Sequence, residues 1–107
     1  MSLFEWRNKL YDGSSETEVA AGPVNFHGLA FYRDRLYLST SCWEDRAATP
    51  RAELYRYDFS SGVFTRITDF DEQGISKLYV YDDALFIATK SDRDVPSTHG
   101  KVYRMTF

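Results

Sequence analysis

Only one cysteine, Cys42, occurs in the 107 residues. No intrachain disulfide can therefore staple the fold, which must rest on packing, a pattern suited to a reducing compartment or a particle that is not secreted. Long apolar runs are missing as well. Every strong segment is broken by charge well short of the roughly 18 apolar residues of a membrane helix, so a soluble chain is expected. The opening Met1-Ser2-Leu3-Phe4-Glu5-Trp6-Arg7 has no basic stretch leading into an apolar one, so no secretory signal is visible. That favours a cytoplasmic or virion-associated location. Positive charge is scarce too: 13 Lys+Arg against 16 Asp+Glu leave a net charge of −3, without the basic footprint that nucleic-acid binding needs. Sustained helical periodicity is absent throughout.

What is present is aromatic. Eight Tyr, eight Phe and two Trp make up 17% of the chain, within a hydrophobic content of 43% that can fill a core. Aromatic side chains favour strands and interfaces, so this excess points to β structure.

The sequence also repeats itself. Residues 29–40 (LAFYRDRLYLST) lie over 78–89 (LYVYDDALFIAT) at an offset of 49, and 53–59 (ELYRYDF) lie over 101–107 (KVYRMTF) at an offset of 48. Eight of the nineteen pairs are identical. Such a period identifies a repeat architecture. In each copy a short aromatic run (Leu29 to Tyr32, Leu78 to Tyr81) meets a charged pair suited to a tight turn, Arg33-Asp34 or Asp82-Asp83. A second strand follows (Leu36 to Thr40, Leu85 to Thr89), apolar at consecutive positions as expected between two packed layers. After a long polar loop comes an alternating third strand, and in the first copy Ser60-Ser61-Gly62 turns the chain into a fourth, Val63 to Thr68.

Four antiparallel strands every 40 to 50 residues is the pattern of a β-propeller blade. Leu54-Tyr55-Arg56-Tyr57-Asp58-Phe59-Ser60-Ser61-Gly62-Val63-Phe64 resembles the third strand, turn and fourth strand of kelch-like and related propeller repeats, and the resemblance extends over most of 24–107. The paired glycines of kelch repeats and the Trp-Asp ending of WD40 repeats are not there, so no functional residue carries over. The resemblance implies an all-β chain of two four-stranded blades, 26–70 and 71–107, after a linker at 13–25. The second blade stops short of its fourth strand. Residues 2–10 lie over 62–70 with Phe4 on Phe64, so the N-terminal segment, 1–12, is expected to complete a C-terminal blade. Two blades cannot close a ring of four to eight. Homo-oligomerisation is therefore expected, with a trimer giving six blades.

Both loops between second and third strands would emerge on one rim. On the first, Trp43 beside Glu44, Asp45 and Arg46 combines an aromatic platform with hydrogen-bonding charges, as a sugar site requires. On the second, Asp92, Arg93 and His99 are the corresponding polar groups. The alternative is that Trp43 packs on a neighbouring blade and the charges are solvated. Cys42 as a nucleophile would need His27 or His99 as a base, and a buried structural thiol is the simpler reading. Asp92 with Asp94, or Asp69, Asp71 and Glu72, lack the ligand spacing of a calcium loop, so no metal and no cofactor is expected. Arg56 and Arg104 occupy matching positions, as cross-strand charge partners would. The function expected is that of a non-catalytic, self-assembling structural or interaction module, for instance in a virion, a tail or another large particle. A lectin-like glycan-binding protein is the alternative, and neither nucleic acid nor membrane is an expected partner.

Overall fold

A computed structural model describes residues 2–15, 17–40, 52–70, 72, 74–90 and 100–106. Among these residues the chain is all-β, with ten strands in three open, antiparallel sheets. The first sheet is β1 (Leu3–Trp6), β2 (Lys9–Asp12) and β3 (Thr17–Ala21); the middle one is β4 (Phe26–Tyr32), β5 (Arg35–Thr40), β6 (Glu53–Asp58) and β7 (Val63–Asp69). The third is β8 (Gly74–Tyr81), β9 (Ala84–Lys90) and β10 (Val102–Met105). Each is a meander whose neighbours in sequence are neighbours in the sheet.

The charged pairs make the turns. Arg33 and Asp34 have φ of 49° and 63°, and Asp82 and Asp83 have 50° and 55°, so both two-residue loops carry positive φ at both central positions. That handedness matches the twist of the flanking strands. The two turns are also tied to each other. Arg33 Nη2 lies 2.7 Å from Asp83 Oδ2, and the Tyr32 hydroxyl donates to the Asp83 carbonyl at 2.8 Å. The Arg33 guanidinium holds the Asp83 carboxyl below its ordinary range by hydrogen bond and charge.

The sheets stack face to face. One core cluster joins the first and middle sheets through Leu10, Phe26, Leu36, Leu38, Tyr55 and Tyr57. The other joins the middle and third through residues that include Tyr37, Leu54, Leu78, Leu85 and Ile87. The middle sheet is thus covered on both faces, which is why Leu36 to Thr40 are all buried although their side chains alternate. Between sheets the backbones approach closest where β1 meets β4 and where β4 and β5 meet β8.

The repeat extends to hydrogen bonds. Thr40 ends β5 and its Oγ1 accepts from the Glu53 amide at 2.9 Å, while Thr89, near the end of β9, accepts from the Lys101 amide at 3.0 Å. Each threonine closes the neck of a long loop. Glu72 joins two sheets: its carbonyl accepts from the Ala52 amide at 2.8 Å, and its Oε1 accepts from Thr89 Oγ1 at 2.7 Å and from the Tyr103 hydroxyl at 2.9 Å.

The N-terminal region differs from the expectation. Residues 2–10 are not one strand, and 13–25 is not a plain linker. The chain turns at Arg7-Asn8, where Arg7 has φ 56°, and β1, β2 and β3 form a sheet of their own. The reason lies in Tyr11-Asp12-Gly13-Ser14-Ser15, which matches Tyr57-Asp58-Phe59-Ser60-Ser61. In both, the aspartate Oδ1 accepts from the amide and hydroxyl of the serine two residues on, which bends the chain out of the strand. The flanking backbone matches too. Gly22 donates to the Asn8 carbonyl as Phe70 donates to that of Ala52. The first sheet therefore corresponds to strands two to four of the middle sheet, and β8 to β10 correspond to strands one to three.

Candidate functional site

Stacking three sheets leaves two faces uncovered, one at each end, and both are aromatic. On the first sheet, Leu3 and Leu10 point into the core shared with the middle sheet. Their strand neighbours Phe4, Trp6 and Tyr11 consequently share the opposite face. Phe4 and Tyr11 are directly paired across β1 and β2, and their rings stack at 5.2 Å with planes 15° apart. Trp6 is 61% exposed, with the Arg7 guanidinium 5.9 Å from its ring. Lys9 lies 3.0 Å from Glu18, whose carboxylate raises the pKa of the ammonium by hydrogen bond and charge.

On the third sheet, Leu78, Leu85, Ile87, Tyr103 and Met105 pack inward. The alternate positions build the outer face: Tyr79 pairs with Phe86 across β8 and β9, and Phe86 with Arg104 across β9 and β10. Tyr79 and Phe86 stack at 5.2 Å, with Lys77 Nζ 5.7 Å from the Tyr79 ring. Tyr81, 70% exposed, lies 6.4 Å from Phe86, and Val102, 63% exposed, extends the apolar area to β10. Cation–ring contacts at both ends keep the aromatic faces wet-compatible while leaving most of their area free to be buried.

Trp43, Glu44, Asp45, Arg46, Asp92, Arg93 and His99, with Cys42, lie outside the described residues. His27 is on β4 and exposed. Arg56 and Arg104 fall at equivalent strand positions, opposite Tyr37 and Phe86 respectively, but Arg56 belongs to the covered middle sheet and Arg104 to an outer face. Among the described residues no three His, Cys, Asp or Glu side chains are grouped as a metal site. The residues overlooked in the sequence are Phe4, Trp6 and Tyr11 as one surface. The signal that could have found them is the match of Tyr11-Asp12 to Tyr57-Asp58, which turns 1–12 into two strands with an alternating aromatic face.

In comparisons with known proteins, no family model, no curated protein and no solved structure matches the chain.

Proposed function

We propose that the protein is a non-catalytic, self-assembling structural or interaction module, whose sheets act as the blades of a β-propeller closed by a second copy. The observation that carries this is the contrast between a middle sheet with a core packed against each face and two end sheets that each leave an aromatic face open. Contiguous apolar surface of that kind marks a contact site. The two faces differ from each other and lie at opposite ends of the stack, so copies join head to tail, and such contacts close when the rotation between copies brings the last face back to the first.

The sheet count supports a dimer. Three sheets per chain make six in two copies, within the usual range of about four to eight, whereas three copies would make nine. Sedimentation equilibrium is the test. A dimer has a mass of 2 × 12.4 kDa, about 25 kDa. A protein that stays at 12.4 kDa into the hundred-micromolar range, correctly folded, overturns the proposal. A mass near 3 × 12.4 kDa, about 37 kDa, would instead favour a ring in which each chain supplies two blades.

A further inference from the structure

At the turn end of the middle sheet, opposite the necks closed by Thr40 and Thr89, two hollows meet at Arg35. The larger, about 280 Å³, is walled by Arg35, Arg56 and the β6–β7 corner with Tyr57, Phe59 and Ser60. The smaller, about 180 Å³, runs past Tyr32 and Tyr37 towards the next hairpin. From this cleft we infer that the protein has a binding site for a small polyhydroxylated acid, that is, a sugar ring bearing a carboxylate.

Three features select that chemistry. First, Tyr37 pairs with Arg56 and Leu36 with Tyr57, which makes Arg35 a diagonal cross-strand neighbour of Arg56 on the same face. The two arginines thus share one face and line one cleft, and neither has an ion pair among the described residues. Arg33, by contrast, is taken up by Asp83. Asp58 sits on the adjoining strand, but its Oδ1 is occupied by the Ser60 amide at 2.8 Å and the Ser60 hydroxyl at 2.7 Å. Two forked cations on one face, neither engaged in an ion pair, fit a planar anion that can accept from both.

Second, the cleft also holds the Asp34 carboxylate and the second oxygen, Oδ2, of Asp58. These are acceptors, and a ligand that offered them only an apolar ring would leave them facing it unpaired. Hydroxyl groups supply the donors they need. Third, Phe59 lines the cleft and is 43% exposed. An exposed ring beside polar groups suits the apolar face of a sugar. The volume is at the lower limit of about 300 Å³ for ligand pockets, which matches a single ring rather than a chain. The cleft is distinct from both end faces, so the site does not depend on the assembly proposed above.

The test is an amide-resolved NMR titration of the full chain with D-glucuronate and N-acetylneuraminate, alongside glucose, benzoate and sulfate. Expected is saturable binding of at least one sugar acid, with shifts confined to the strands around Arg35, Arg56 and Phe59. Glucose, benzoate and sulfate should each bind at least tenfold more weakly. Arg35→Ala and Arg56→Ala should each weaken the sugar acid roughly 10- to 100-fold. Arg56→Lys should also weaken it, because a point charge cannot replace the fork. The sedimentation mass should not change in any of the three variants, which separates this site from the end faces, and their amide spectra away from the cleft should match that of the unchanged protein, which reports that the variants fold. Absence of binding by both sugar acids overturns the inference. So does benzoate or sulfate binding as tightly as they do, or full binding by both alanine variants.

Discussion

Removing one ring from an end face tests both the interface and the closure of the ring. Trp6 is 61% exposed in the single chain. A large aromatic side chain can bury up to about 250 Å², so covering what Trp6 now exposes removes about 150 Å² from water. At ~25 cal/mol per Å² the ceiling is about 4 kcal/mol for that ring at one interface. Part of this is lost to side-chain ordering and imperfect packing, and Trp6→Ala should cost about 2 kcal/mol per interface, the scale of a hot spot. The closed ring has a property that an open pair of chains does not. In a closed dimer the first sheet of each copy meets the third sheet of the other, so each substitution counts twice. The dissociation constant should then rise by about 10³-fold for Trp6→Ala, against about 30-fold for an open pair with one contact. Tyr81→Ala, at the opposite end and 70% exposed, should behave alike. Sedimentation over a concentration series reads the constant, and circular dichroism verifies the fold, which neither residue supports because both point away from the core. A change below about threefold in both variants, with the fold intact, refutes the placement of the interface.

Three further outcomes follow from the same geometry. Chains carrying Trp6→Ala, mixed with chains carrying Tyr81→Ala, should associate more tightly than either does alone, because one of the two contacts in the mixed pair is then intact; sedimentation of the mixture distinguishes this head-to-tail contact from a symmetric one. Glu72→Ala removes the acceptor of two side-chain hydrogen bonds that fix the third sheet to the loop from the middle one, and should lower stability by about 3 kcal/mol in denaturant unfolding. Tyr103→Phe should cost about 1 kcal/mol, and combined with Glu72→Ala the two losses should not add. The Asp12 carboxyl has a pKa lowered to about 2, first by the hydrogen bond from the Ser14 hydroxyl. Because the folded value lies below the ordinary 3.8, the stabilisation is present above that pH and is lost as pH falls towards about 2. Acid unfolding of Asp12→Asn should therefore be less steep between pH 4 and 2 than that of the unchanged protein.

Much of the middle and third sheets was legible because local chemistry and the long-range pattern agree there. Arg33-Asp34 and Asp82-Asp83 are turn pairs flanked by apolar runs, and the consecutive apolar residues of β5 require cover on both sides. Thr40 and Thr89 were visible only as an identity within the repeat; their task of closing the loop necks appears once the Glu53 and Lys101 amides are placed. The N-terminal region was misjudged because Phe4 can be laid on Phe64 as readily as Tyr11 on Tyr57. The first alignment makes 2–10 a single strand, and the second makes it a hairpin. Backbone geometry at Arg7 decides between them, and an arginine at φ 56° leaves no mark of the kind that glycine would.

The aromatic end faces were harder to read for a more general reason. In β8 the residues Leu78, Tyr79, Val80 and Tyr81 are apolar on both sides of the strand, as in β5. Sequence alone therefore says that β8 needs cover on both faces and does not say whether the same chain provides it. Three stacked sheets have six faces, of which two internal interfaces use four. The two left over carry stacked Phe and Tyr rings on alternate positions, residue types that the two cores also contain. In the closed ring proposed above, each of these faces finds a partner. Folding and assembly are then one packing problem. In the proposed dimer the four free faces of two copies would become two further interfaces of the kind each chain already contains, so a disturbance at either end face should appear in the mass of the particle before it appears in the stability of the chain.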